Sequence, residues 1–347
     1  MKRIRDFIDD FGWPRLLIAL FLVALFVLAP FVGVRFDASI NDMLVRFGMN
    51  GVMVLAMVPM IQAGCGLNFG LPLGVIAGLL GAITSVEWNM TGLAGVLTAM
   101  GVAIPLAVVF GWLYGLLLNK VKGSEMMIAT YVGFSSVALM CIMWLVLPYH
   151  SPDMVWGYAG KGLRTTISVE RFWQHAIGSI GKIQINQFFT LYTGMFLFFF
   201  LLCAVMYIFL RTRTGTAMTT VGSNMEYARA SGVNIDRMRT LSVILSTVLG
   251  AMGIIVYEQS FGLIQLYMGP FYMAFPAVAA ILIGGASVKK ATITNVIVGT
   301  LLFQGILTMT PSVINSMIQT DMSEVIRIIV SNGMILYALT RATKVRS

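Results

Sequence analysis

Charge is what this sequence has least of. Only 11% of its 347 residues are Asp, Glu, Lys or Arg, against roughly 25% in soluble domains. With 58% hydrophobic residues and a mean hydropathy of +0.88, that deficit excludes a water-soluble globule, which must show much of its chain to solvent. It excludes disorder as well. Histidine is almost absent: His150 and His175 are isolated, and no Cys/His pair has metal-ligand spacing. Cys65, Cys141 and Cys203 all fall in apolar stretches and read as buried thiols, not as a disulfide framework. A phosphate loop is missing, because Gly160-Lys161 and Gly181-Lys182 lack the upstream glycine and the following Ser or Thr. A G-x-S-x-G nucleophile elbow is missing too. These absences predict a chain that performs no covalent chemistry and holds no cofactor or metal.

What is present suits lipid. The 25 Met and 35 Gly fit packed membrane helices. The net charge of +9 is read as the cytoplasmic bias of a membrane protein, not as a nucleic-acid footprint. A bilayer core of ~30 Å needs ~20 apolar residues as a helix. Segments 14–34, 92–119, 126–148, 190–210, 240–257, 271–287, 291–310 and 325–340 meet that requirement, and 48–64 and 67–84 add two more with little between them. The expectation is an all-α integral membrane protein of about ten transmembrane helices, one broken or Gly-rich, forming a single domain over 1–347. Lys2, Arg3 and Arg5 precede the first span, whose length and lack of a small-residue cleavage site predict an anchor instead of a signal peptide.

Placing both termini in the cytoplasm puts sixteen of the 23 basic residues inside. Four of the rest lie in the outer segment 149–189, and long segments obey the rule poorly. That outer segment carries Trp156, Tyr158 and Trp173, either as headgroup-belt aromatics or as a docking platform.

Local signals concentrate in the inner segment 211–239. Gly222, Ser223 and Asn224 look like a helix start, with Ser223 or Asn224 as N-cap and Glu226 in the first turn. A short helix over 225–231 would stop at Gly232, and Asn234 and Asp236 would cap the next one. Spacing alone leaves two readings open: a rigid lever between spans, or a solvated loop with basic anchors. Gly66, Gly70, Gly74 and Gly78 recur every four residues, which predicts one close-packing helix face. Pro72 within it favours a kink or break, and broken backbone at membrane depth survives only beside protein or a water-filled cavity. Plain tight packing is the other reading of the stretch.

Glu87, Glu258 and Arg327 fall near span ends and read as interfacial charges. A proton- or sodium-driven carrier usually needs a carboxylate at mid-membrane, so their position counts against one. Gln62 and Asn68 would contact a neutral, hydroxyl-bearing solute or else bond backbone carbonyls.

The inner segment also carries a resemblance. Arg213-Thr214-Gly215, Val221-Gly222-Ser223-Asn224, Glu226, Ala228-Arg229-Ala230-Ser231-Gly232-Val233-Asn234 and the Arg237/Arg239 pair resemble the cytoplasmic segment of ABC-importer permeases of the ribose/simple-sugar and branched-chain amino acid superfamily. Ala277 to Ser287, reading A-V-A-A-I-L-I-G-G-A-S, and Gly299-Thr300-Leu301-Leu302 are similar to two further family blocks, as is Ile128-Ala129-Thr130. Two departures stand out. Gly66 to Pro72 reads G-L-N-F-G-L-P where sugar permeases carry G-I-D-L-S-V-G, and Val288-Lys289-Lys290-Ala291 replaces glycines after Ser287.

By this resemblance the chain is the permease subunit of a bacterial cytoplasmic-membrane importer for a small polar solute, monosaccharide or nucleoside-like. Its expected partners are a second permease, homodimeric or sister, two separate ATPase subunits and an extracytoplasmic solute-binding protein. Nucleic acid is not among them. ATPase coupling would fall to Gly222, Ser223, Asn224, Glu226, Tyr227, Ala228, Arg229, Ser231, Gly232 and Val233. The path would involve Gln62, Asn68, Phe69, Gly70, Pro72, Gly74, Tyr131, Phe275, Pro276 and Ala279. A self-sufficient carrier or channel and a non-transporting scaffold are the rival readings.

Overall fold

In the computed structural model, which describes residues 13–156, 162–187, 189–318, 325–326, 328–334 and 336, apolar helices carry nearly everything. The chain runs α1 (Trp13–Leu28), a 3-10 turn (Ala29–Val32), α2 (Phe36–Leu55), α3 (Met57–Gln62), α4 (Pro72–Glu87), α5 (Gly92–Lys120) and α6 (Glu125–Val146). A strand-bearing outer segment follows, with β1 (Thr166–Ser168), β2 (Ile183–Asn186) and β3 (Phe189–Leu191). Then come α7 (Thr193–Arg211), α8 (Arg213–Ser223), α9 (Met225–Ala230), α10 (Ile235–Phe261), β4 (Leu263–Gln265), α11 (Gly269–Ile283) and α12 (Ile293–Ile318).

Among the described residues seven helices are long and apolar enough to cross a membrane: Arg15–Val32, Phe36–Gln62, Gly92–Lys120, Glu125–Val146, Thr193–Arg211, Ile235–Phe261 and Ile293–Met317. Pro72–Glu87 and Gly269–Ile283 are apolar but shorter. The expected last span, 325–340, lies only partly within the described residues. Arg327, Tyr158 and the basic clusters at both termini lie outside them.

The sequence-based view of the first glycine-rich stretch needs correction. No helix runs from 67. The second span begins earlier than expected, at Phe36, bends at Ala56 and stops at Gln62, and helix resumes only at Pro72. Gly66 and Gly70 therefore lie in the interruption and share no helix face with Gly74 and Gly78. Pro72 sits in the first turn of α4, where its missing N–H has no intrahelical partner to lose, so it starts a helix instead of kinking one.

The core is the packing of α10 against α5, α4 and α2. Glycine sets its closeness. A Cβ at Gly74 would sit 2.5 Å from the Thr247 carbonyl oxygen, one at Gly78 would meet Ile254 and lie 2.6 Å from the Ala251 oxygen, and one at Gly111 would lie 2.8 Å from Ile244 Cα. Backbone lies on backbone here, as small-residue membrane interfaces require.

The outer segment is a folded cap. Trp156 is about half exposed, but Trp173 is buried, not a headgroup-belt aromatic. It packs among Val169, Phe172, Ala176 and Ile177 and against Gly95. β1 pairs antiparallel with β4, Thr166 opposite Gln265, and His175 N–H donates to the Gln259 carbonyl at 2.7 Å. This cap is bonded to the end of α10. Glu258, near that end, is buried with neither carboxylate oxygen hydrogen-bonded; it is no interfacial charge. Glu87 accepts from the His150 and Ser151 N–H groups at 3.0–3.2 Å and pins the start of the cap.

A contrast between two glycines tests the close packing. Gly78→Val should destabilise the purified protein by about 1–3 kcal/mol as an overpacked core does. Gly101→Ala, where an added Cβ meets nothing within 4 Å, should be neutral or mildly stabilising. Thermal unfolding in detergent reads both, and equal midpoints would contradict the packing described.

Candidate functional site

The inner segment folds as a compact helix–helix–helix turn. Asn224, not Ser223, is the N-cap of α9: its Oδ1 accepts from the Tyr227 N–H at 3.0 Å. Ser223 ends α8 instead, its hydroxyl donating to the Thr220 carbonyl at 3.1 Å. Glu226 occupies the first turn of α9, on the side the helix dipole favours, and pairs with Arg229 at 3.7 Å on the exposed face. Gly232 takes φ +76° just past the helix end, a left-handed position that a side chain would strain. Asn234 then caps α10 through the Arg237 N–H at 3.0 Å, and Asp236 lies in its first turn.

One buried side of this turn holds it together. Val221, Ala228 and Ile235 form an apolar cluster with Met225, Val233 and Met238 against it. Tyr227, Arg229 and Ser231 remain exposed, Tyr227 at 63%. The result is a six-residue helix fixed from behind and bare in front.

Ion pairs attach the segment to the spans. Arg239, with no exposed side-chain surface, donates to Glu125 at 2.6 Å and to Asn119 Oδ1 at 3.2 Å. Lys122 pairs with Asp236 at 2.6 Å, and the Asn119 amide donates to Thr240 Oγ1 at 2.9 Å. The start of α10 and the turn between α5 and α6 therefore move as one piece.

Gly222 supplies the other attachment. Its backbone lies directly on residues 62–64: an added Cβ would collide with the Gln62 carbonyl oxygen and lie 2.8 Å from the Gly64 nitrogen. Conversely, a Cβ on Gly64 would sit 2.9 Å from Gly222 Cα. The exposed helix α9 is two residues from this contact.

Residues 63–71, the interruption between α3 and α4, are tied through Asn68 to α5 and α10, and the flanking residues Ala56 and Gln62 are bonded as well. Gly64 and Gly66 turn the chain at φ +74° and +79°, which only glycine adopts freely. Ser246 donates to the Ala56 carbonyl at 2.6 Å, Asn68 donates to Ser246 at 2.7 Å, and the Tyr114 hydroxyl donates to Asn68 Oδ1 at 3.3 Å. The Gln62 amide donates to the Ala291 carbonyl. Both polar side chains thus bond protein groups here, and Asn68 is fully buried.

The ten path candidates separate into two groups. Asn68, Gly70, Pro72, Gly74 and Ala279 are buried in helix packing, and Gln62 is bonded as above. Phe69 and Phe275 instead meet at 6.1 Å between ring centroids, and Phe275 continues to Phe134 at 6.1 Å and Phe134 to Phe271 at 4.9 Å. Tyr131, one turn before Phe134 on α6, is 63% exposed. Pro276, inside α11, removes a helix donor beside this row. The aromatic row joins the interruption to α6 and α11, and none of its members is charged. Phe134 and Phe271 were not anticipated from sequence; the Tyr131-x-x-Phe134 spacing on one helix face was the available signal.

The sequence profile of the family described as branched-chain amino acid transport system / permease component matches residues 39–338. No curated protein and no solved structure shows significant similarity to the chain.

Removing one partner of the buried ion pair tests the attachment of α10. Glu125→Leu leaves Arg239 buried and unpaired, and should lower stability by about 3–5 kcal/mol. Arg239→Met in the same chain should recover most of that loss in a thermal unfolding assay. A double variant no more stable than the single one would refute the pairing.

Proposed function

The chain belongs to the permease-component family of branched-chain amino acid transport systems, and on that premise we propose that it is the translocating subunit of an ATP-driven importer in the bacterial cytoplasmic membrane. It works beside a second permease, the same chain or a sister, with two ATPase subunits on the inner face and a solute-binding protein outside. It spans the membrane about ten times with both termini cytoplasmic.

One observation carries this reading: the backbone of Gly222 rests on the interruption at residues 62–64. Helix α9 offers Glu226, Tyr227, Arg229 and Ser231 to a partner. A push on it is transmitted through α8 to Gly222 and through Arg239 to α10, because both joints are rigid. Phe69 lies five residues beyond Gly64 and belongs to the aromatic row, so displacement of the interruption shifts the row against α6 and α11. A soluble motor thereby alternates the access of a cavity it never touches.

The solute is a neutral polyol-like molecule, monosaccharide or nucleoside-like. A zwitterionic amino acid asks for charged partners in a low-dielectric path, and the aromatic row with Tyr131 offers none. Ring faces and a phenol hydroxyl suit the apolar face and hydroxyl rim of a sugar or nucleoside.

The complex of the permease with its neighbouring ATPase in lipid nanodiscs tests the mechanism. Glu226→Lys and Gly232→Trp should abolish complex formation. Gly222→Val should leave the complex intact but lower solute-stimulated ATP hydrolysis at least about tenfold, the equivalent of ~1.4 kcal/mol of lost coupling. Wild-type coupling in Gly222→Val, or accumulation of solute by vesicles holding this chain alone, would overturn the proposal.

A further inference from the structure

The ribbon of β2 and β3 is left uncovered on the outer side. All four residues of β2 are exposed, and its two isoleucines, Ile183 and Ile185, are 51% and 68% exposed, with Ile180 just upstream at 48%. Gln184 pairs with Thr190 and Asn186 with Phe189. Ile185 between them is the bulged residue, and a bulge re-aims its side chain. In water an edge strand dressed with isoleucine is an aggregation site, which proteins normally blunt with charge. Here the charge stands beside the isoleucines, not among them.

The depth of the ribbon explains the composition. Thr190 N–H donates to Asn41 Oδ1 at 2.9 Å. Asn41 lies five residues into α2, which begins at Phe36, so at 1.5 Å per residue it is roughly 7.5 Å along the helix from its start, among Asp37, Asp42 and Arg46, the polar turns suited to headgroup level. β3 leads into α7 with only Tyr192 between them, and Ile183 is paired with Leu191. The ribbon therefore runs alongside the outer turns of two spanning helices instead of standing above them. Below it, Leu197, Leu201, Val205 and Ile208 of α7 form an exposed apolar stripe, the face this helix turns to lipid.

Lys182 completes the pattern. Its ammonium sits 5.9 Å from the centre of the Tyr192 ring, whose other contact is His175 stacked at 4.9 Å. Partial burial, and secondarily the Lys182 charge, hold the His175 imidazole below its ordinary pKa, so near neutral pH Lys182 supplies the positive charge of this stack. A cation fixed at headgroup level beside apolar side chains is the composition of an interfacial segment.

We infer that the β2–β3 ribbon is a membrane-surface anchor whose partner is the outer lipid leaflet: Ile183 and Ile185 enter the headgroup–acyl boundary while Lys182 meets a lipid phosphate. The anchor fixes the outer ends of α2 and α7. It depends only on those helices spanning a bilayer, so it stands or falls separately from the transport reading.

A fluorophore on Ile185→Cys reads the depth directly, in the full chain in nanodiscs with the half-exposed Cys141 replaced by Ser. Lipids brominated near the glycerol end of the acyl chain should quench this label at least about threefold more than one on Glu170→Cys, an exposed cap position, and aqueous iodide should show the reverse order. Ile183→Cys should behave as Ile185→Cys, which guards against a misfolded single variant. Iodide quenching at 185 equal to that at 170 would overturn the inference. So would protection from iodide that arises only when a solute-binding protein or a second copy of the chain is added, because the ribbon would then be a protein interface.

Discussion

Residues 63–71 leave the helix and must satisfy by other means the backbone groups that a helix would have satisfied internally. Part of that is done within the turn, where the Cys65 N–H donates to the Met60 carbonyl, the Leu71 N–H to Asn68 and the Gly74 N–H to Leu71, and buried side chains then fix the turn to its neighbours. Asn68, Ser246 and Tyr114 form a chain of hydrogen bonds ending on the Ala56 carbonyl, and Gln62 reaches across to Ala291. These bonds tie the interruption and its flanks to α5, α10 and the turn before α12, which makes it a junction of the bundle.

That dependence explains how a rigid bundle can still be moved. An unbroken span passes a force along its axis and resists being sheared, whereas a turn held by side chains from its neighbours can exchange one set of bonds for another. The inner segment touches the interruption through backbone, at Gly222 against 62–64, with no side chain between to absorb displacement. On the opposite side Arg239 and Glu125 tie the start of α10 to the head of α6. On the proposed mechanism two joints, one at each end of the same lever, would convert a shift of α9 into relative motion of α6 and the interruption. Those are the two elements that carry Tyr131, Phe134 and Phe69.

Much of this was legible in the sequence, and for a common reason. The long spans, the cap at Asn224, the stop at Gly232 and the cap at Asn234 are local: hydropathy, a side-chain oxygen three residues before its N–H, a left-handed turn. The errors arose where local pattern met tertiary context. Four glycines at a spacing of four predicted one helix face, but two of them are spent on turning the chain, which a spacing rule cannot distinguish from packing. Trp173 and Glu258 looked like residues for the membrane boundary, but both are buried, Trp173 within a cap assembled from β1, β4 and the 169–177 turn, segments too short to announce themselves. The aromatic row escaped notice because its members come from three elements far apart in the chain, and only Phe69 and Phe275 lay near a recognisable motif.

The buried carboxylate of Glu258 shows how far the outer half differs from the inner. At the inner end ion pairs join several charges near the spans: Arg239 with Glu125, Lys122 with Asp236, Glu226 with Arg229. Among the described residues Glu258 at the outer end has none, and the cap is held by backbone bonds, apolar contacts and the Glu87 carboxylate on the His150 and Ser151 N–H groups. Breaking a buried pair leaves a charge uncompensated, so paired charges hold one geometry and penalise any other. A lever needs its stiffness at the end where force enters. On the proposed mechanism the cap and outer helix ends, where the only ion pair among the described residues is the local Arg35–Asp37, would be the half that yields when the path opens outward, and a lipid-anchored ribbon beside α2 and α7 would set the edge against which that yielding occurs.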